Sequence, residues 1–200
     1  RPPAVRSVAS RKGVLQPALP PPLLKNREHP ARLVFAAKYI AIYLGLALAY
    51  FSTLNRFPEP YTLHREALAQ AAAALLQLAG QESRVAGTTL LYRGIEIHIV
   101  ESCDGVVAGI TLVAAVFAFP FPRGLAPRLL GAFAGVAAVQ GINVLRIALL
   151  VLIAPYLDDR SFALADLIAG QSFLILLALA VWLVWARNAM HRAGGGRHEI

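Results

Sequence analysis

Four stretches of the chain stay apolar long enough to cross a hydrocarbon layer about 30 Å thick, which takes about 20 helical residues. They run from Arg32 to Leu54, Asp104 to Phe121, Leu129 to Ile153 and Phe162 to Ala186. Between the first two the pattern changes. Pro58 and Pro60 mark a loop, and an amphipathic helix follows from about His64 to Leu78. Val85 to Tyr92 then reads as one arm of a β-hairpin. It turns at Arg93-Gly94 and returns with Ile95, Ile97 and Ile99 alternating against Glu96, His98 and Val100. The pattern predicts an all-α multi-pass integral membrane protein of about four transmembrane helices, with a small extracytoplasmic cap made of a helix and a β-hairpin.

Composition agrees. With 58% hydrophobic and 15% charged residues and a mean hydropathy of +0.59, the chain fits one membrane domain rather than a soluble one. Residues 1–30 form a basic, Pro-rich tail containing Pro20-Pro21-Pro22, a composition that cannot pack a core and predicts disorder. The tail lacks the apolar run and small-residue cleavage site of a signal peptide, and because the sequence opens with Arg1, residues are expected to be missing before it. Residues 31–187 are then the membrane domain, with its insert at about 55–103, and 188–200 form a second tail.

The 19 Lys and Arg outnumber the 11 Asp and Glu, but they flank apolar segments, where basic residues set topology or meet anionic lipid rather than nucleic acid. If the N-terminal tail is cytoplasmic, that side holds Arg1, Arg6, Arg11, Lys12, Lys25, Arg27, Arg32, Arg123, Arg128, Arg187, Arg192 and Arg197 against Glu28 and Glu199. The other side holds Arg56, Arg65, Arg84, Arg93 and Arg160 with nine acidic residues. Both termini are therefore expected in the cytoplasm. The start of the second span, with the chain's only cysteine, Cys103, then faces outward.

Cys103 sits in Glu101-Ser102-Cys103-Asp104-Gly105. A lone thiol cannot close an internal disulfide, so it is either a small buried hydrophobe or a nucleophile, and its polar surroundings favour the nucleophile. Arg146 interrupts the third span about 25 Å along it, in the outer third of the membrane. Asp166 lies about a turn and a half into the returning fourth span, so topology brings Cys103, Arg146 and Asp166 to one depth. An arginine on a bare lipid face costs at least about 2.5 kcal/mol, which turns Arg146 toward the bundle or a wet cavity. Asn143, three residues earlier, shares its helix face.

Milder readings stand beside these. Arg146 and Asp166 could be a structural ion pair joining two helices. His98, on a strand near the cysteine, is a possible general base but is favoured as a solvated surface histidine. Glu96 and Glu101 read as surface carboxylates. Lys38 can snorkel to the interface, and Trp182 and Trp185 fit an interfacial aromatic belt. No Cys or His cluster has metal-ligand spacing and no glycine loop could cradle a phosphate, so neither metal nor cofactor is expected.

The run Glu101-Ser-Cys103-Asp-Gly105-Val, followed after an Ala-Phe-Pro stretch by Gly141-Ile-Asn143-Val-Leu-Arg146-Ile, resembles the exosortase and archaeosortase membrane transpeptidases. The likeness runs from about Gly87 to Trp185, and the compact layout is most similar to the short exosortase H type. It implies a cysteine enzyme at the outer face of a bacterial cytoplasmic membrane. Such an enzyme recognises a C-terminal sorting signal on a secreted protein, cleaves it, and passes the new carboxyl end to an acceptor. By position Cys103 is the nucleophile and Arg146 the arginine of the family motif. The family's third residue is usually a histidine, within a pattern ending in glutamine; aligning on Gln171 puts Asp166 in its place.

That departure has chemical weight, because a histidine can carry the thiol proton to the leaving amine whereas an ionised aspartate opposes thiol ionisation. Arg146 would offset the aspartate by pairing with it. A catalytically degenerate relative that binds sorting signals or aids surface-protein assembly is the alternative function. A transporter would need a continuous polar path, and apart from Lys38 the cytoplasmic halves of the spans carry almost no ionisable groups.

Overall fold

A computed structural model describes residues 28–120 and 124–195; residues 1–27 of the N-terminal tail, Phe121, Arg123 and residues 196–200 of the second tail lie outside the described residues. Six helices and one small sheet follow in the order α1 (Glu28–Arg56), α2 (Glu59–Leu78), β1 (Ser83–Ala86), β2 (Thr89–Tyr92), β3 (Ile95–His98), α3 (Val106–Ala118), α4 (Leu125–Ile153), α5 (Asp159–Leu167) and α6 (Phe173–Gly195). The chain is a helical membrane protein. Three segments, Arg32–Arg56, Leu125–Tyr156 and Phe173–His191, are long and apolar enough to cross a membrane.

The second and fourth predicted spans take different forms. The stretch from Asp104 becomes α3, only 13 residues long. At 1.5 Å per residue that is about 20 Å, short of a full hydrocarbon core. The fourth stretch is divided: α5 ends at Leu167, a π-helical turn spans Ile168–Ser172, and Gly170 (φ −80°, ψ −126°) breaks the axis before α6. Hydropathy reads through such a break because it needs no polar residue. α6 also runs beyond Ala186 to Gly195.

The insert differs in one respect from a simple hairpin. The turn at Arg93-Gly94 forms as expected, with both residues at positive φ (50° and 80°) and Tyr92 paired to Ile95. The arm read as Val85 to Tyr92 is two strands, because Gly87 at φ 60° reverses the chain, giving an antiparallel meander in the order β1-β2-β3. The alternation in β3 holds: Ile95 and Ile97 are half-buried, Glu96 and His98 exposed. α2 starts at Glu59, ahead of its predicted beginning, since Pro60 fits the first helical turn, where no backbone donor is needed.

Two apolar cores meet along α4. Its first half packs Ala132 and Val139 against Ala108, Leu112 and Val116 of α3 and Leu174 and Ala178 of α6. Its second half packs Ile147, Ala148 and Val151 against Leu68, Ala72 and Leu76 of α2, Leu90 and Tyr92 of β2, and Ile99. α1 lies against α3, with Leu33, Ile40, Leu44 and Leu48 facing outward, as lipid contact requires. Trp182 and Trp185 do not form a free belt. They turn inward onto the first core, where Phe35 stacks on Trp182 and Phe119 meets both indoles edge-on.

Candidate active site

The junction between the two cores is where α4 carries its polar residues. Gln140, Asn143 and Arg146 recur every three residues along one face, opposite the loop that enters α3. That loop is a single 3₁₀ turn, Glu101–Cys103, followed by Asp104 and Gly105. Gly105 adopts φ +70°, and a Cβ there would come within 3.1 Å of both Asn143 Nδ2 and Gln140 Oε1. Only glycine combines this left-handed turn with so close an approach to α4.

Four helices hold the loop. Asn143 Nδ2 donates to the Cys103 carbonyl at 2.8 Å, and Gln140 Nε2 donates to the Asp104 carbonyl at 3.1 Å. His64 Nε2 of α2 reaches the same Asp104 carbonyl at 3.3 Å. Asp104 is 2% exposed and turned inward, so it serves the fold. Its Oδ1 accepts the Val106 N–H at 2.9 Å, capping α3, and its Oδ2 accepts the Tyr50 hydroxyl of α1 at 3.0 Å. Burial pushes the Asp104 carboxyl, in the turn ahead of α3, above its ordinary value. The bonds from Val106 and Tyr50, with His64 and Arg65 nearby, oppose that shift.

Arg146 is 5% exposed and faces the bundle. Its Nη1 donates to Asn143 Oδ1 at 3.1 Å and its Nη2 to Asp166 Oδ1 at 2.7 Å, while Nε–H is buried without a partner. Asn143 thus joins the guanidinium to the cysteine backbone through its two ends. Gly170, at the break, packs against this pair: a Cβ there would lie 3.3 Å from Arg146 Nη2.

Cys103 is half-buried, its Sγ 3.9 Å from Asp166 Oδ1 and 3.8 Å from Ser102 Oγ. The three residues singled out in the sequence therefore converge, with one carboxylate oxygen serving both guanidinium and thiol. They open onto a cleft of about 70 Å³ walled by Ile97, Ile99, Val100, Ile147, Leu150 and Phe162, with His98 on its rim. Glu101 stays at the surface, 3.5 Å from Arg65. Sequence reading missed Tyr50, His64 and Gln140. Gln140 could have been found from its three-residue spacing to Asn143, whereas nothing local links Tyr50 or His64 to a loop 40 or more residues away.

A buried arginine, a carboxylate and a lone thiol are thus gathered within a helical membrane bundle. Over residues 31–184 the chain matches the model of the transmembrane exosortase family (EpsH type), and it belongs to that family. No curated protein and no solved structure matches the chain. Membership carries the general role of a membrane transpeptidase, a cysteine enzyme that processes sorting signals on secreted proteins.

Proposed function

We propose that this exosortase cleaves the C-terminal sorting signal of secreted proteins at the outer face of a bacterial cytoplasmic membrane, with Cys103 as nucleophile and Arg146 and Asp166 as its partners. The observation that carries the reading is the contact chain Cys103 Sγ to Asp166 Oδ1 (3.9 Å) to Arg146 Nη2 (2.7 Å), set on one cleft. The excess of basic residues at the two termini and in the loop between α3 and α4 supports an outward-facing site with both termini inside. Secreted substrates and surrounding lipid are the partners; no nucleic acid is involved.

In the proposed cycle the thiol proton passes to Asp166 as Sγ attacks the scissile carbonyl. Protonating that carboxylate removes the counter-charge of Arg146 and leaves its guanidinium to stabilise the thiolate and then the oxyanion. Collapse breaks the C–N bond, releases the signal peptide as an amine and leaves a thioester. An acceptor amine or water then attacks the thioester and restores the thiol.

The test is processing of a co-expressed secreted protein that ends in a short motif, an apolar helix and a basic tail. Wild type shifts the substrate to a smaller form, and Cys103→Ala abolishes the shift. Full processing by Cys103→Ala would overturn the proposal. Substrate still captured by Cys103→Ala, together with no cleavage by wild type, would favour the binding-only alternative, for which the aspartate at position 166 is the supporting feature.

A further inference from the structure

In the cycle above, the amine leaving group must collect a proton and the incoming acceptor must lose one. Asp166 is poorly placed for both, because its Oδ1 already accepts the Arg146 guanidinium at 2.7 Å and faces the thiol at 3.9 Å. The second imidazole of the region, His64, is committed to the Asp104 carbonyl. One further proton carrier lines the same cleft as Cys103, Arg146 and Asp166: His98, at the end of β3. Building on the proposed cysteine mechanism, we infer that His98 is a catalytic residue, acting from the cap side as the acid toward the leaving amine and the base toward the acceptor.

Three features carry this. First, β2 and β3 fix the ring: in the register Thr89 pairs with His98, and Thr89 Oγ1 lies 2.8 Å from His98 Nδ1. With Nδ1–H donating to that hydroxyl, the lone pair is on Nε2, the tautomer a base requires. Second, the strand alternation that buries Ile97 leaves His98 exposed, so its ring is open to water and to an arriving acceptor. Third, the cleft is large enough for several water molecules, which can relay a proton across it. Arg146 and Asp166 are the charged groups that line the same cleft, and Glu96 lies on the exposed face of the same strand.

The protons balance. The thiol proton taken up by Asp166 crosses the cleft to His98 Nε2, and the imidazolium gives it to the amine nitrogen as the C–N bond breaks. In the second half, Nε2 takes a proton from the acceptor as it attacks the thioester, and that proton returns to the Cys103 thiolate as the C–S bond breaks. A carboxylate thus takes the position usual for the histidine, while a histidine from the cap supplies the proton transfer that position would have made.

The experiment compares wild type, Cys103→Ala, His98→Ala and Thr89→Val on the same substrate in membranes, with and without added imidazole. His98→Ala should slow processing by about 100-fold, in line with loss of a general acid–base, and imidazole should recover part of the loss. Thr89→Val should slow it less, with no recovery. His98→Ala at the wild-type rate, or slowed with no response to imidazole, overturns the inference; if Cys103→Ala is inactive alongside it, the cysteine mechanism stands. Full activity of Cys103→Ala removes both.

Discussion

The two sides of the site are built very differently. The cysteine side is a loop whose carbonyls, capping carboxylate and glycine are each held by a neighbouring helix, with Asn143, Gln140, Tyr50 and His64 all engaged. The carboxylate side is the nine-residue α5 ahead of a broken π turn, and Asp166 keeps a third of its side-chain surface exposed. It is tied to the rest of the site by the bond from Arg146 and the longer contact with the Cys103 thiol, both on one oxygen. A nucleophile has to be presented at one fixed angle, whereas the group that trades its proton and charge gains from freedom to move. In the proposed mechanism, the more closely held side is the one where the bond would form.

The contrast predicts that damage on the cysteine side costs stability and activity together, while damage on the carboxylate side costs activity alone. The largest effect is expected for Arg146→Met, which touches both sides. It leaves the buried Asn143 acceptor and the Asp166 carboxylate without their shared donor, so it should cost about 3–5 kcal/mol and all processing, read by thermal unfolding in detergent and by substrate gel shift. Asn143→Leu should follow, at about 1–3 kcal/mol, because it leaves the Cys103 carbonyl without its donor.

Gly105→Ala should cost about 1–2 kcal/mol from the left-handed turn alone, plus the crowding against Asn143 and Gln140, and should lower activity through the displaced loop. Asp166→Asn is the sharpest discriminator. Its partly exposed position limits the stability loss to about 1 kcal/mol, yet processing should fall more than tenfold, since the amide can neither take the thiol proton nor balance Arg146. Equal stability losses for Asn143→Leu and Asp166→Asn would erase the comparison. The smallest change is expected for Gly170→Ala, where the guanidinium need yield by only a few tenths of an ångström.

Much of this was legible in the chain. Hydropathy located the first and third spans but read the short α3 and the broken stretch of α5 and α6 as full crossings, alternation at Ile95, Ile97 and Ile99 located the cap, and the order of the helices brought Cys103, Arg146 and Asp166 together. What escaped was set by tertiary contact. The break at Gly170 lies beside the Arg146 guanidinium, and glycine alone does not announce a kink inside an apolar run. Gly87 split a strand that its neighbours' β propensity made continuous. Tyr50 and His64 serve the Asp104 loop from helices far away in sequence, so no local pattern could reveal them. The inward turn of Trp182 and Trp185 depends on Phe35 and Phe119, which the span boundaries do not encode.

The central claim, that the Cys103 thiol forms a covalent bond to the substrate, is tested most directly by quenching wild-type membranes during processing and looking for substrate attached to the enzyme. The account predicts an adduct carrying the secreted portion on the peptide that contains Cys103, released by hydroxylamine and absent in Cys103→Ala. Cleavage by Cys103→Ala, or a hydroxylamine-resistant adduct on another residue, would contradict it.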